Sequence, residues 1–337
     1  MLGLTRTFPS TLLRPAAVPL EIEKLRVEFP TVDGAPKVAI RDLDLSVYTG
    51  EILGLVGESG AGKTTLARSI MNLPPPPGRV AAGFVRFSGI NLLDLPERRL
   101  QQMRGRDISM IVPNPRGELN PLLSIGEQIA NMARVHLGKD RASARKMALD
   151  MLNAVQIPDP ARRMRAYPHE LSGGMAQRVV IAAALICSPK FIISDDATSG
   201  LDVTVQAQIL ELLKTLARER HSAMLFITRD VGITAHFCDR VAVIYDGEIM
   251  EIAPREGFFL APRHPYTVML LAAFSHNPRL RRGWTMPRMQ QARVDPAQNC
   301  VYVDRCPRAQ SVCRRTKPQL IELAPSHFAR CHFPVER

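Results

Sequence analysis

Residues 57–64, with the sequence GESGAGKT, have the composition and spacing of a phosphate-binding loop. The glycines let backbone N–H groups turn inward around phosphate oxygens, Lys63 reaches the outer phosphates, and Thr64 offers a hydroxyl to Mg²⁺. The helix expected after the loop favours negative charge at its N-terminus. The predicted nucleotide-binding residues of this segment are Gly57, Glu58, Ser59, Gly60, Ala61, Gly62, Lys63, Thr64 and Thr65.

A strand-like stretch at residues 191–196, FIISDD, ends in two acids. A buried strand that ends in an acid commonly holds Mg²⁺ beside a phosphate-binding loop, so Asp195 and Thr64 are predicted to share the metal. The next acid, Asp196, occupies the position from which a carboxylate would polarise an attacking water. Asp196 is therefore a candidate catalytic residue together with Lys63.

A third candidate lies between these two motifs, in the stretch YPHELSGGMAQR at residues 167–178. Ser172, Gly173 and Gly174 precede a predicted helix, where they would present a hydroxyl and backbone amides to a phosphate. The alternative is an ordinary serine N-cap with a turn. The stretch on its own does not decide between the two.

Strands alternating with helices must position these residues. Leu20–Phe29 alternates in hydrophobicity like a strand, and the short, mainly apolar stretch EILGLV at residues 51–56 runs directly into the glycine-rich loop. This alternation predicts an α/β fold with a parallel core sheet. Further strands are predicted at residues 38–47, 191–194, 223–228 and 240–245, and helices at 66–71, in 125–155 and at 173–186.

Changes in composition along the chain predict three segments. Residues 1–19 read as a flexible N-terminal extension, and residues 20–263 as the nucleotide-binding domain with a helical insertion at about 93–180. From residue 264 the pattern loosens into Pro, Arg and Cys, which indicates a small C-terminal domain at 264–337.

The overall composition narrows the class of protein. A hydrophobic content of 46% suits a globular protein with a sizeable core, and the longest apolar run, VVIAAALI at residues 179–186, is too short to cross a bilayer. No signal-peptide pattern is present, so a cytoplasmic protein is expected. The net charge of +12 would suit anionic lipid, a protein partner or nucleic acid, but the 5% aromatic content shows no base-stacking pattern and disfavours nucleic acid.

Taken together, the motifs resemble those of the nucleotide-binding subunit of an ABC transporter. GESGAGKTT resembles its Walker A motif, LSGGMAQR its signature motif and FIISDD its Walker B motif, while residues 199–202 match its D-loop. The resemblance extends from about residue 20 to residue 333. The tracts that resemble the oligopeptide/dipeptide/nickel importer branch are LDVTVQAQIL, CDRVAVIYDGEIME and HPYTVMLLAAF.

This resemblance implies a P-loop NTPase fold with a helical subdomain and a Cys-containing C-terminal domain. It implies a head-to-tail dimer in which each ATP lies between the Walker motifs of one subunit and the signature motif of the other. It further implies two transmembrane permeases, an extracytoplasmic solute-binding protein and a place at the cytoplasmic face of the plasma membrane. Phe29 would stack on adenine, although a core Phe at a strand end is an open alternative.

Three residues depart from the family pattern. Pro113 stands where a glutamine usually touches Mg²⁺ and water, Arg229 where a histidine contacts the γ-phosphate, and Asp196 where a longer glutamate polarises water. Arg229 can still bind phosphate and is therefore the third candidate catalytic residue, beside Asp196 and Lys63. A shorter carboxylate and lost base assistance each slow a reaction, by about 10²-fold or more. We therefore expect a degenerate site in an asymmetric heterodimer; a working homodimer, a non-hydrolysing regulatory subunit and a soluble ABC ATPase are the alternatives.

Four cysteines near the C-terminus have the spacing C-x5-C-x6-C-x17-C. In a reducing compartment such a cluster favours a metal over disulfides. Four thiolates suit tetrahedral Zn²⁺ or an iron–sulfur cluster, and the resemblance favours [4Fe–4S]; free thiols are the remaining alternative. The candidate ligands are Cys300, Cys306, Cys313 and Cys331.

Overall fold

A computed structural model describes residues 19–32, 34–274, 295 and 297–336. Residues 1–18 of the predicted N-terminal extension lie outside the described residues, and so do the basic residues between 275 and 294. The predicted alternation of strands and helices is present in the described part of the chain.

The described residues contain twelve strands in two sheets. The strands are β1 (Leu20–Phe29), β2 (Lys37–Val47), β3 (Ile52–Val56), β4 (Arg79–Phe87), β5 (Ile90–Asn91), β6 (Ile108–Ile111), β7 (Phe191–Asp195), β8 (Ala223–Ile227), β9 (Arg240–Tyr245), β10 (Glu248–Pro254), β11 (Leu320–Ala324) and β12 (His327–Arg330).

The larger sheet has the order β11-β12-β10-β9-β3-β8-β7-β6. Its centre, from β9 to β6, is parallel, as the sequence predicts. The sheet is nevertheless mixed, because β10, β12 and β11 continue it with antiparallel pairs. The smaller sheet, β2-β1-β4-β5, is antiparallel throughout.

Eleven α-helices connect and cover these sheets among the described residues. They are α1 (Lys63–Ile70), α2 (Glu97–Met103), α3 (Pro115–Glu118), α4 (Ile125–Leu137), α5 (Arg141–Ala154), α6 (Pro160–Arg163), α7 (Gly173–Leu185), α8 (Val203–Glu219), α9 (Val231–Phe237), α10 (Arg255–Leu260) and α11 (Pro265–Phe274).

The predicted break within residues 125–155 separates α4 from α5. Gly138 ends α4 with a left-handed backbone, φ +63°, which favours glycine. Asp140 then begins α5, because its carboxylate accepts hydrogen bonds from the backbone N–H groups of Ala142 and Ser143 at 2.9 and 3.0 Å. Most of the helices of the described chain fall in or near the predicted helical insertion.

The core lies on both faces of the larger sheet. Along β3, Ile52 and Val56 pack into a cluster with the helical region, whereas Leu53 and Leu55 pack into a second cluster with the antiparallel sheet. This alternation follows from the two-residue period of a strand buried on both faces. The sheet is therefore covered on both sides, and its strand ends are where polar side chains can meet.

The C-terminal strands join the same sheet. Glu251 of β10 pairs with Ala329 of β12, and Tyr266, Cys300 and Tyr302 belong to the core cluster that also holds the helical insertion. The predicted boundary at residue 264 remains a prediction, but the C-terminal residues pack directly on the nucleotide-binding part. None of the helices that the structure describes is long and apolar enough to cross a membrane.

Candidate nucleotide-binding site

The phosphate-binding loop joins β3 to α1, as the sequence predicts. At Gly57, a Cβ atom would lie 2.2 Å from the carbonyl oxygen of Ile244, so only glycine fits this close approach. Gly62 caps α1 with a φ of +105°, and a Cβ there would lie 2.9 Å from the carbonyl oxygen of Ala39. Neighbouring backbone thus fixes the path of the loop into the helix.

Lys63 folds back over the loop. Its ammonium group donates hydrogen bonds to the carbonyl oxygens of Gly57 and Glu58 at 2.7 and 2.8 Å. Burial lowers the pKa of Lys63, and the nearby carboxylates of Asp196 and Asp195 oppose this effect. The lysine is therefore a buried cation with neutral hydrogen-bond partners, which a phosphate can replace.

Asp195 ends β7 and lies next to the start of α1. Its side chain is buried and interacts with the Thr64 hydroxyl, and burial raises its pKa while that hydrogen bond lowers it. A carboxylate and a hydroxyl are hard oxygen ligands of the kind that Mg²⁺ takes alongside phosphate oxygens. Asp195 and Thr64 would thus hold the predicted Mg²⁺, which would supply positive charge to neutralise the phosphates.

These residues face a cleft of about 560 Å³. Phe29 lines the cleft, so the structure brings it to the site, and its stacking on adenine remains a prediction. Of the described residues, those that line the cleft are Phe29, Lys37, Val38, Ala39, Ser59, Gly60, Gly62, Lys63, Thr64, Thr65, Asp195, Asp196, Ile227, Thr228, Arg229 and Asp246.

Two of the three departures from the family pattern contact each other in this cleft. The Arg229 guanidinium donates to the Asp196 carboxylate at 2.9 Å and to the Ser199 hydroxyl at 2.8 Å. Asp196 leaves β7 with a left-handed backbone, φ +48°, a conformation that Asp adopts more readily than most residues. The carboxylate in the water-polarising position is therefore held by a cation of the same chain.

Pro113 and the signature motif are not among the described residues that line the cleft. Pro113 is exposed beyond the end of β6 and does not line the cleft.

Ser172 of the signature motif is the N-cap of α7, and its hydroxyl accepts a hydrogen bond from the Met175 backbone N–H at 3.3 Å. Gly174 packs closely on α8, since a Cβ would lie 2.7 Å from a Val205 methyl group. Within the described chain, Ser172, Gly173 and Gly174 are not among the residues that line the cleft.

The sequence does not predict three residues that make contacts at the site. Ser199 is noted only as part of the D-loop match, and its hydrogen bond to Arg229 is not predicted. Tyr266 and Arg305 contact Glu58 of the loop from the C-terminal part of the chain, with Arg305 247 positions away. No local pattern marks Arg305, which reads as one of many basic residues near the C-terminus.

The predicted iron–sulfur or zinc site is not supported. The thiols influence one another electrostatically, but among the described residues, which include all four cysteines, no three His, Cys, Asp or Glu side chains form a group that could hold a metal. Cys300 and Cys313 are buried in the hydrophobic core. Burial raises the pKa of Cys300 to about 12 and that of Cys331 to about 11.

Comparison with known proteins agrees with this arrangement. Residues 40–199 match the ABC transporter family, and residues 250–313 match the C-terminal region of oligopeptide/dipeptide transporters. The chain is 42% identical to the oligopeptide transport ATP-binding protein OppD of Salmonella typhimurium over 96% of each chain. It is 40% identical to the dipeptide transport ATP-binding protein DppD of Escherichia coli, over 94% of this chain and 97% of that protein.

Solved structures show the same fold. The dimeric ATP-binding cassette MJ0796, in a post-hydrolysis state with ADP and phosphate, superposes with a TM-score of 0.63 at 26% identity, covering 70% of this chain and 98% of that one. The cassette cbiO1 of Clostridium perfringens superposes with a TM-score of 0.62 at 22% identity, over 78% of this chain and 97% of that one. The chain therefore belongs to the family of ATP-hydrolysing ABC transporter subunits with an oligopeptide/dipeptide-type C-terminal region.

Proposed function

We propose that this chain is an ATPase subunit of an importer for peptides or a related small solute. The support is its identity of about 40% over nearly the whole chain with oligopeptide and dipeptide transport ATP-binding proteins. In this proposal it sits peripherally at the cytoplasmic face of the plasma membrane. There it works with two permeases, a solute-binding protein and a second ATPase subunit.

The Asp196–Arg229 ion pair carries the proposal that this chain's own site hydrolyses ATP slowly. A base must accept a hydrogen bond from the attacking water, and one of the two Asp196 carboxylate oxygens is already engaged by Arg229 at 2.9 Å. Asp196 is also one methylene shorter than glutamate, and a displacement of about 1 Å can cost on the order of 10² in rate. Lys63, Thr64 and Asp195 keep the arrangement needed for binding.

The signature motif supports pairing with a competent second subunit. Ser172 begins α7, a thirteen-residue helix whose N-terminus favours an anion, and it lies outside this chain's own cleft. In the head-to-tail dimer of the family, this end of α7 would complete the other subunit's site. A degenerate Walker site with an intact signature motif thus fits an asymmetric heterodimer better than a homodimer.

The test is steady-state ATP hydrolysis by the purified chain, alone and mixed with the ATPase subunit encoded beside it. We expect the chain alone to turn over about 10²-fold more slowly than the mixture. Normal turnover by the chain alone would show that Asp196 and Arg229 suffice and that the site is not degenerate. ATP binding without turnover, even in the mixture, would instead identify a regulatory subunit.

The importer assignment has a separate test. Affinity purification of the tagged chain from detergent-solubilised membranes should recover two permeases in equal amounts, and deletion of its gene should abolish uptake of radiolabelled di- to pentapeptides. A matched strain carrying Lys63→Ala controls for assembly, because it should keep the permeases and lose the uptake. Recovery of the chain only from the soluble fraction, without permeases, would favour a soluble ABC ATPase.

A further inference from the structure

Two residues of the C-terminal region, Tyr266 and Arg305, contact the phosphate-binding loop without lining the cleft. The Glu58 carboxylate forms a bidentate ion pair with Arg305, whose Nη1 and Nη2 atoms donate to Oε2 and Oε1 at 2.8 and 2.9 Å. The Glu58 backbone N–H donates to the Tyr266 hydroxyl at 3.0 Å. We call Tyr266 and Arg305 the P-loop brace.

The brace is itself rigidly supported. Tyr266 is fully buried, and its ring packs against Tyr245 and Tyr302 at centroid distances of 4.8 and 5.2 Å. The Arg305 guanidinium lies 5.6 Å from the centre of the Tyr245 ring and donates to its hydroxyl at 3.4 Å. A planar guanidinium that is both stacked and bonded at two points has little freedom to move.

Arg305 lies in a single 3-10 turn, Val303–Arg305, between two of the C-terminal cysteines. The Val303 N–H donates to the Cys300 carbonyl at 3.1 Å, and the Cys300 N–H donates to the Cys313 carbonyl at 3.0 Å. Backbone hydrogen bonds therefore connect the cysteine region to the turn of Arg305, whose side chain contacts the phosphate-binding loop.

The brace acts on Glu58 in two ways that affect phosphate binding. Tyr266 accepts the hydrogen bond of the Glu58 N–H and so fixes the plane of that peptide within the phosphate-binding loop. Arg305 compensates the Glu58 carboxylate, which would otherwise add a negative charge to a loop that must bind an anion. On the inner side, Lys63 bonds to the Glu58 carbonyl and must leave it when it turns to a phosphate.

We propose that Arg305 and Tyr266 are positioning residues for nucleotide binding, through which the C-terminal region sets the ATP affinity of the phosphate-binding loop. Neither residue lines the cleft among the described residues, and both act through Glu58. The proposal concerns binding alone, so it stands independently of how fast this site hydrolyses ATP.

The test is equilibrium titration of the full chain with a fluorescent ATP analogue and Mg²⁺. Arg305→Gln should weaken binding about 5- to 10-fold, as expected for a partly exposed, charge-assisted pair. Adding Glu58→Gln to it should restore binding to within about 2-fold of the unaltered chain, since the uncompensated charge is then gone. Tyr266→Phe should weaken binding about 3- to 5-fold through one lost hydrogen bond.

The matched control is Arg314→Gln, which removes a similarly exposed ion pair with Asp304 in the same region and should leave ATP affinity unchanged. Rescue by the second substitution separates positioning from loss of fold, because a merely unstable C-terminal region would not recover. Should Arg305→Gln fail to fold, Tyr266→Phe provides a readout of the same brace. Unchanged affinity in Arg305→Gln, an equal loss in the control, or no rescue by Glu58→Gln would each overturn the proposal.

Discussion

Two groups of charged side chains that line the nucleotide cleft differ in their partners: Lys63 with Asp195, here named the phosphate-binding end, and Asp196 with Arg229, here named the water-polarising end. At the phosphate-binding end, Lys63 bonds to two backbone carbonyls and Asp195 to a hydroxyl, all of them neutral groups. At the water-polarising end, Asp196 is paired with the permanent cation Arg229, which a Ser199 hydroxyl also holds. Neutral partners release a charged group to a ligand more readily than an opposite charge does.

In the function proposed above, this difference separates binding from turnover within one site. The residues proposed to bind ATP and Mg²⁺ keep contacts that the ligand can replace, whereas the residue proposed as the base is short and already paired. In that proposal, the subunit closes a dimer around ATP while its partner performs most of the hydrolysis. The predictions below act on one end at a time, in order of expected effect.

Replacing the buried lysine should have the largest effect, at the phosphate-binding end. Lys63→Ala removes the buried cation that reaches the phosphates, and we expect ATP affinity to fall by at least about 10²-fold, because charge-assisted bonds to phosphate are the strongest in the site. Equilibrium titration with labelled ATP measures this loss of affinity. Lys214→Ala, which removes a surface bond to the His236 carbonyl, is the control and should bind ATP normally. A loss below about 3-fold in Lys63→Ala would contradict the account.

Blocking the start of α7 should affect turnover without affecting binding. Ser172→Arg places a bulky side chain at the helix end offered to the partner's site, so turnover of the mixed ATPases should fall on the order of 10²-fold. ATP binding by this chain should stay within about 2-fold. Ser124→Arg makes the matched change at the N-cap of α4 and should keep full turnover. If both variants lose turnover alike, the effect lies in helix capping rather than in the partner's site.

Removing the cation at the water-polarising end should have the smallest effect. Arg229→Met frees Asp196, but the carboxylate remains one methylene short, so turnover at this site should rise by less than about 10-fold. The pair is largely exposed at Arg229, so the free energy of unfolding should change by no more than about 1 kcal/mol. Single-turnover hydrolysis and thermal denaturation measure the two quantities. A rise approaching 10²-fold would show that the pairing alone, not the length of Asp196, limits this site.

The phosphate-binding end could be predicted from the sequence, and the pairing at the other end could not. Residues 57–65 are contiguous and carry their geometry locally, since glycines, a strand and a following helix determine where the N–H groups point. Asp195 is likewise marked by the strand that precedes it. The Asp196–Arg229 bond joins residues 33 positions apart, at the ends of two neighbouring parallel strands, and only the sheet order makes them meet.

The C-terminal part was the least predictable. The brace depends on contacts between Glu58 and residues more than 200 positions away, which no periodicity encodes. The cysteine spacing predicts a metal site that the structure does not support, since no metal-binding group is found among the described residues, which include all four cysteines. The antiparallel strands β10 to β12 that extend the sheet were also absent from the prediction.

The most direct test of the central claim compares binding and single-turnover hydrolysis in the purified chain and in the double variant Asp196→Glu, Arg229→His. The claim predicts ATP affinities within about 3-fold of each other and a hydrolysis rate at least about 10²-fold higher in the double variant, because base assistance of that size is restored. Equal hydrolysis rates at equal affinity would contradict it, since the two departures would then not be what separates binding from turnover.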